Sequence, residues 1–239
     1  MPSYVEFAPP PRLAASVECF WVMRHFERAP VSHRVLPDAC ADIIFTSGAG
    51  TSTLQVAGVM TKFQDFPIIS GQTLVGMRFH PGMWTAQVGV SAELLTDAHP
   101  TLEELWGSRA RTLLSQIEDL RSSKQCVSLL AENVIPTSIT PLQRALAWMR
   151  SCNGLVSLDD VASHAGISLR QFRRLCLQTT GLSPKLLARI LRFRYALSRI
   201  HNERGEHAGL AADCGYFDQS HFIADFQRFS GRTPAAFCR

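Results

Sequence analysis

The chain has 239 residues, 46% of them hydrophobic, enough for one large domain or two ordinary ones with a substantial core. Its net charge of +4 is unevenly placed: residues 138–239 hold 14 Lys and Arg against 7 Asp and Glu, whereas residues 1–137 hold 10 against 13. A polyanion would bind the second half, and the faintly acidic first half makes a poor nucleic-acid surface.

Residues 1 to about 80 read as strands. Ser16–Phe26 is rich in aromatic and β-branched residues, and Arg34–Leu36 and Ala41–Thr46 flank a turn at Pro37-Asp38. Thr53–Val59 alternates around Leu54 and Val56, and Thr73–Phe79 sets Leu74, Gly76 and Arg78 against Val75, Met77 and Phe79. Short strands at close spacing, divided by Gly and Pro, predict a small barrel-like (cupin-like) domain or a sandwich, ending at Pro81-Gly82. The period then turns helical. Thr101 with Glu104 forms a capping box before Leu102–Trp106. Arg109–Leu120 aligns Leu113, Ile117 and Leu120, and Gln125–Ile135 aligns Val127, Leu130 and Val134. Such stripes pack within their own domain or form a dimer interface. Pro136-Thr137-Ser138 reads as a linker.

The rest is helical and sharply punctuated. Thr140-Pro141 with Gln143 starts a helix that puts Leu142, Ala145, Leu146 and Met149 on one face. Ser157 starts a second over Leu158–Ala165, and Ser168 with Gln171 starts a third that ends at Gly181. Ser183-Pro184 opens a long fourth helix to about Ile200, and a fifth runs from about Glu206 to Cys214. Asp218 caps a sixth that ends at Gly231, and Thr233-Pro234 opens a short seventh. The predicted fold class is α+β: a β-barrel-like domain with following helices over 1–136, then an all-α domain of seven helices over 137–239.

The helical region contains one pattern twice. Ala162 and Gly166 recur as Ala211 and Gly215, and Phe172, Gly181 and Pro184 recur as Phe222, Gly231 and Pro234, with Phe217 added between the two spacings. That is how a duplicated helix-turn-helix with a longer second turn would read. A glycine after the first helix supplies a positive φ for the turn. Val161, Ala162, Phe172 and Cys176 should face inward, as should Leu210, Ala211, Phe222 and Phe226. Arg170, Gln171, Arg173 and Arg174 are then left outward near the start of the third helix, where a recognition helix meets base edges. An ordinary solvated basic face is the alternative. The matching positions of the sixth helix, Gln219, Ser220 and His221 with Ala224, are nearly uncharged, so the second unit should bind more weakly. Arg192, Arg228 and Arg232 could meet phosphates. Arg189, Arg194 and Arg199, which share the fourth helix with Arg192, could do the same, and some of these arginines could instead pair with Asp213 or Asp225.

Gly215-Tyr216-Phe217-Asp218-Gln219-Ser220-His221-Phe222, followed by Phe226, Phe229, Gly231, Thr233 and Pro234, resembles the second helix-turn-helix of arabinose-regulator-type (AraC-type) transcription factors. Arg192-Phe193 with Ala196 resembles that family's linking helix. The resemblance implies a bacterial regulator of transcription, often an activator, which would then meet RNA polymerase. Its two recognition helices would enter successive major grooves of double-stranded DNA. Ala224 departs from the family, where arginine is common. Arg34–Asp38, Cys40–Phe45 and Gly76–Gly82 resemble a sensing domain found before such DNA-binding domains, which implies a small-molecule effector or a homodimer.

An apolar effector pocket would draw on Trp21, Phe45, Arg78, Phe79 and Trp84, although aromatic residues there also serve as barrel core. The eight histidines include no His-x-His pair. No metal or cofactor is therefore expected, with His33, His80 and Cys40 the least poor ligands. Seven scattered cysteines with no C-x-x-C pair argue against a zinc module or disulfide framework and for a reducing compartment. The same scatter argues against the alternative of a DNA-repair or modifying enzyme that borrows this module. A thiol-sensing Cys40 would be disfavoured by its acidic neighbours. Neither a signal peptide nor an 18-residue apolar run is read in the sequence, so neither export nor a membrane span is expected, and a soluble cytoplasmic protein is.

Overall fold

The computed structural model describes residues 2–27, 29–48, 50–120, 122–135, 137–200 and 207–237. Pro136 of the expected linker, Glu206 at the expected start of the fifth helix, and Cys238 lie outside these.

Among the described residues seven strands are formed: β1 (Ser3–Phe7), β2 (Val17–Arg24), β3 (Val31–Val35), β4 (Ala41–Gly48), β5 (Thr51–Ala57), β6 (Gln64–Ile68) and β7 (Thr73–Phe79). They pair antiparallel as a five-stranded sheet in the order β1-β2-β7-β4-β5 and as a separate ribbon of β3 with β6. The sequence pattern misses β1 and β6. Every residue of β1 is exposed, so this edge strand carries no alternation to read. β6 contains Pro67, but it has a partner on one side only, the position where a strand tolerates proline.

The five-stranded sheet is buried on both faces. Phe20, Val22, Ile43, Phe45, Val75, Met77 and Phe79 join the main core on one face. Cys19, Trp21 and Met23 point the other way, toward Ile68 of the ribbon. Gly76 sits under the Trp21 indole, where a Cβ would come within 2.0 Å of the ring.

The helices are α1 (Thr85–Val88), α2 (Leu102–Trp106), α3 (Ser108–Glu118), α4 (Ser123–Glu132), α5 (Pro141–Ser151), α6 (Leu158–His164), α7 (Leu169–Thr180), α8 (Pro184–Arg199), α9 (His207–Asp213), α10 (Gln219–Ser230) and α11 (Pro234–Phe237). The last seven realise the duplicated pattern. The second helices of the two units, α7 and α10, have 12 residues each, and both end at a left-handed glycine, Gly181 (φ 78°) and Gly231 (φ 75°). All eight residues expected to face inward are buried.

The two regions share one contiguous core that runs from the sheet to Phe229. Gly82 lies where a Cβ would be 2.9 Å from Leu146 of α5, and Gln143 donates to the Gly82 carbonyl at 3.0 Å. Thr96 donates to the carbonyl of Gly181 at 2.9 Å. Glu18 of β2 pairs with Arg150 of α5, whose other arm donates to His80 Nδ1 at 2.8 Å. His80 is then an acceptor at Nδ1 and a donor at Nε2 toward the Ala14 carbonyl, the neutral tautomer. Burial, aided by Arg150, holds His80 below its ordinary value.

Candidate nucleic-acid interface

α7 and α10 are each capped at the N-terminal end by their own sequence. Ser168 accepts from the Gln171 backbone N–H at 3.2 Å, and Asp218 accepts from that of His221 at 2.7 Å. The C-terminal ends are held by residues from the first half of the chain. Thr96 reaches Gly181, and Arg34 Nη1 donates to the Ser230 carbonyl at 3.2 Å beside Gly231. The N-terminal turns are left open on both helices.

On α7, Arg170, Gln171, Arg173 and Arg174 are all exposed. Arg174 makes one long contact, 3.4 Å, with Gln178, and none of the three arginines has an ion pair among the described residues. A row of free guanidinium groups at the positive end of a helix is suited to paired hydrogen bonds with guanine and to phosphates. On α10, Gln219, Ser220 and Ala224 are exposed, whereas the His221 ring turns toward Asp225 (3.9 Å) and packs edge-on against Tyr216. Phe217, the added residue, is 94% exposed beside the α10 N-cap.

The expected phosphate contacts divide. Arg228 and Arg232 are exposed. Arg192 is engaged: it donates to the Gly215 carbonyl at 3.0 Å and lies over the Tyr216 ring, pinning the turn of the second unit. Arg189 binds the buried Asp225, and Arg199 binds Asp213. These internal partners remove Arg189 from the free cationic face.

The first half encloses a cavity of about 620 Å³ between the five-stranded sheet and the β3–β6 ribbon. Of the residues expected to line a pocket, Trp21 and Arg78 do so. Phe45, Phe79 and Trp84 do not: they are buried in the main core away from it. For Phe45 and Phe79 the reason is strand parity, since residues one apart point to opposite faces, whereas Trp84 lies beyond the strands, at the start of α1. His33, Met60, Phe66 and His99 line the cavity without having been singled out for it, because they sit on or beside the unrecognised β6 and its partner. Cys40 is buried, and burial first, then Asp38 and Glu18, push its thiol well above the usual range, which keeps it protonated. Among the described residues no cluster of three or more His, Cys, Asp or Glu could hold a metal, and no helix is long and apolar enough to cross a membrane.

Comparison with known proteins agrees with this geometry. Residues 161–239 match a family described as a helix-turn-helix domain. The C-terminal region is therefore a helix-turn-helix domain. Residues 5–101 match a domain of unknown function (DUF6597). The chain is 32% identical over 108 residues to the HTH-type transcriptional activator RhaS of Escherichia coli O157:H7, a match covering 45% of this chain. It spans only 38% of the RhaS chain. Among solved structures, the DNA-binding domain of AdpA in complex with a target DNA is 24% identical, covering 42% of this chain and 91% of that one, with a TM-score of 0.39. ToxT from Vibrio cholerae is 10% identical with a TM-score of 0.43, covering 100% of this chain and 97% of that one.

Proposed function

We propose that this chain is a sequence-specific DNA-binding regulator of transcription, an activator that works beside RNA polymerase in the cytoplasm. The observation that carries this is the open arginine face of Arg170, Arg173 and Arg174 on a capped helix within a helix-turn-helix domain. Residues 137–239 form the DNA-binding domain, with α7 and α10 entering successive major grooves. Gln171 and the three arginines read bases on the first half-site. Gln219, Ser220 and His221 make the weaker second set, and Arg228 and Arg232 meet phosphates. Residues 1–136 form the sensing or dimerisation domain, which answers to a small molecule or to a second copy of the chain. The relatives matched over the DNA-binding region are named activators of transcription, and no observation favours the DNA-modifying alternative.

The test uses a duplex selected by the protein from random sequences. Each phosphate neutralised should contribute roughly −0.9 to the slope of log affinity against log salt concentration. Arg174→Ala is expected to weaken binding by about 1–3 kcal/mol. A slope near zero, or equal affinity of the variant for the selected duplex, would overturn the proposal.

A further inference from the structure

We infer that the cavity between the sheet and the β3–β6 ribbon binds a small ligand with a flat apolar body and an uncharged head carrying one hydrogen-bond acceptor and one donor. Filling it fixes the ribbon, and with it the ribbon's hold on the second recognition helix. This deepens the reading of residues 1–136 as a sensing domain and rests on it.

The cavity's size, about 620 Å³, falls within the range of roughly 300–1,000 Å³ usual for small-molecule sites. Its walls are apolar at Met23, Ile44, Met60, Phe66 and Leu74, and Trp21 spreads over Gly76. One end is polar. Asp42 accepts from Trp21 Nε1 at 2.7 Å. Arg78 approaches Asp42 and Asp38 at 3.4 and 3.6 Å through Nε, yet Nε is buried with no hydrogen-bond partner. Nε is closed to solvent, so a ligand acceptor would meet the other nitrogens of the guanidinium of Arg78, whose side chain is 21% exposed. Since the cavity ends in one carboxylate and one guanidinium, a ligand carboxylate would meet Asp42 and a ligand ammonium would meet Arg78. An amide-like head satisfies both.

The ribbon is the part that would respond. Two strands alone are marginally stable in water. Their alternation divides the ribbon into two working faces. His33, Val35, Phe66 and Ile68 face the cavity. Arg34 and Asp65 lie on the other face, joined by bonds of 2.8 and 2.7 Å. From there Arg34 donates to the Ser230 carbonyl and stacks on Phe63 at 4.3 Å, and the Phe63 ring closes over Gly231. A body packed under the inner face therefore restrains the same strands whose outer face holds the end of α10.

Hydrogen–deuterium exchange on the full chain, without DNA, tests both parts. The probes are indole-3-carboxamide, indole-3-acetate and tryptamine, which share a flat body and differ in the charge of the head. The carboxamide is expected to bind about tenfold more tightly than either charged analogue, the size of one well-made hydrogen bond. It should slow exchange at residues 31–35, 64–68 and 227–231. In Arg34→Ala the carboxamide should still bind and protect the ribbon, while protection at 227–231 disappears. Failure of all three probes to bind, tighter binding of a charged analogue, or protection at 227–231 that survives in Arg34→Ala would overturn the inference. These readouts need no DNA. A flat salt slope with the exchange pattern intact would overturn the regulator reading alone.

Discussion

Arg189 of α8 holds Asp225 of α10, and cutting this pair tests how the second helix-turn-helix unit is attached to the first. Asp225 is 2% exposed, and Arg189 Nε lies 3.1 and 3.2 Å from its two oxygens, with Nη2 adding a further bond. Arg189→Met keeps an apolar stem of similar length but strands the carboxylate. Removing one partner of a buried ion pair costs about 3–5 kcal/mol. Urea unfolding of Arg189→Met should therefore show a loss of about 3–5 kcal/mol at pH 7. Combining it with Asp225→Leu leaves no stranded charge and should recover most of the loss. A loss below about 1 kcal/mol at pH 7, or a double variant no more stable than the single one, would show that the pair does not anchor α10.

Ala224→Arg places a cation on the nearly uncharged α10 face, and its affinity for the selected duplex should rise, with a salt slope steeper by about 1. An unchanged slope would mean that this face does not approach DNA. Gly76→Ala drives a methyl into the Trp21 ring, so near-ultraviolet dichroism should change and stability fall by about 1–3 kcal/mol, as overpacking does. A silent substitution would mean that the indole does not rest there. Stability should also depend on pH. Burial lowers His33, His80 and His99 below the ordinary 6.5, so their contribution is complete above that value and is lost as pH falls, because the unfolded chain takes up protons first. Asp42 works the other way: burial pushes it up to about 6, so the folded state gains protons before the unfolded one. Asp42→Asn should therefore steepen the decline in unfolding free energy between pH 7 and pH 4. A shallower decline would contradict this assignment of signs.

Much of the helical half was legible in the sequence because its signals are local. Ser168, Asp218, Gly181 and Gly231 act on backbone groups within one turn, so a cap or a left-handed glycine marks a helix end whatever surrounds it. The spacing of Phe172 and Phe222 around the added Phe217 likewise survives without knowledge of packing. β6 was missed because its proline is acceptable only at an edge, and an edge is defined by strands far away in the chain. The same limit put Phe45 and Phe79 beside Arg78 as pocket residues, although they share a sheet and not a face.

The sequence by itself determined the duplicated, capped helix-turn-helix pattern, the contrast between an arginine-rich α7 and a nearly neutral α10, and the alternation within β7. All of these are set by neighbours a few residues apart. Only the tertiary structure decided which arginines are free. Arg170, Arg173 and Arg174 face solvent, while Arg189 and Arg192 are taken up by Asp225 and by the Gly215 carbonyl. It also decided that the first half of the chain reaches the ends of both recognition helices, through Thr96 and Arg34. Those contacts join residues 85 and 196 positions apart. Pairings at that distance depend on how sheet and helices close on one core, which no short-range pattern encodes.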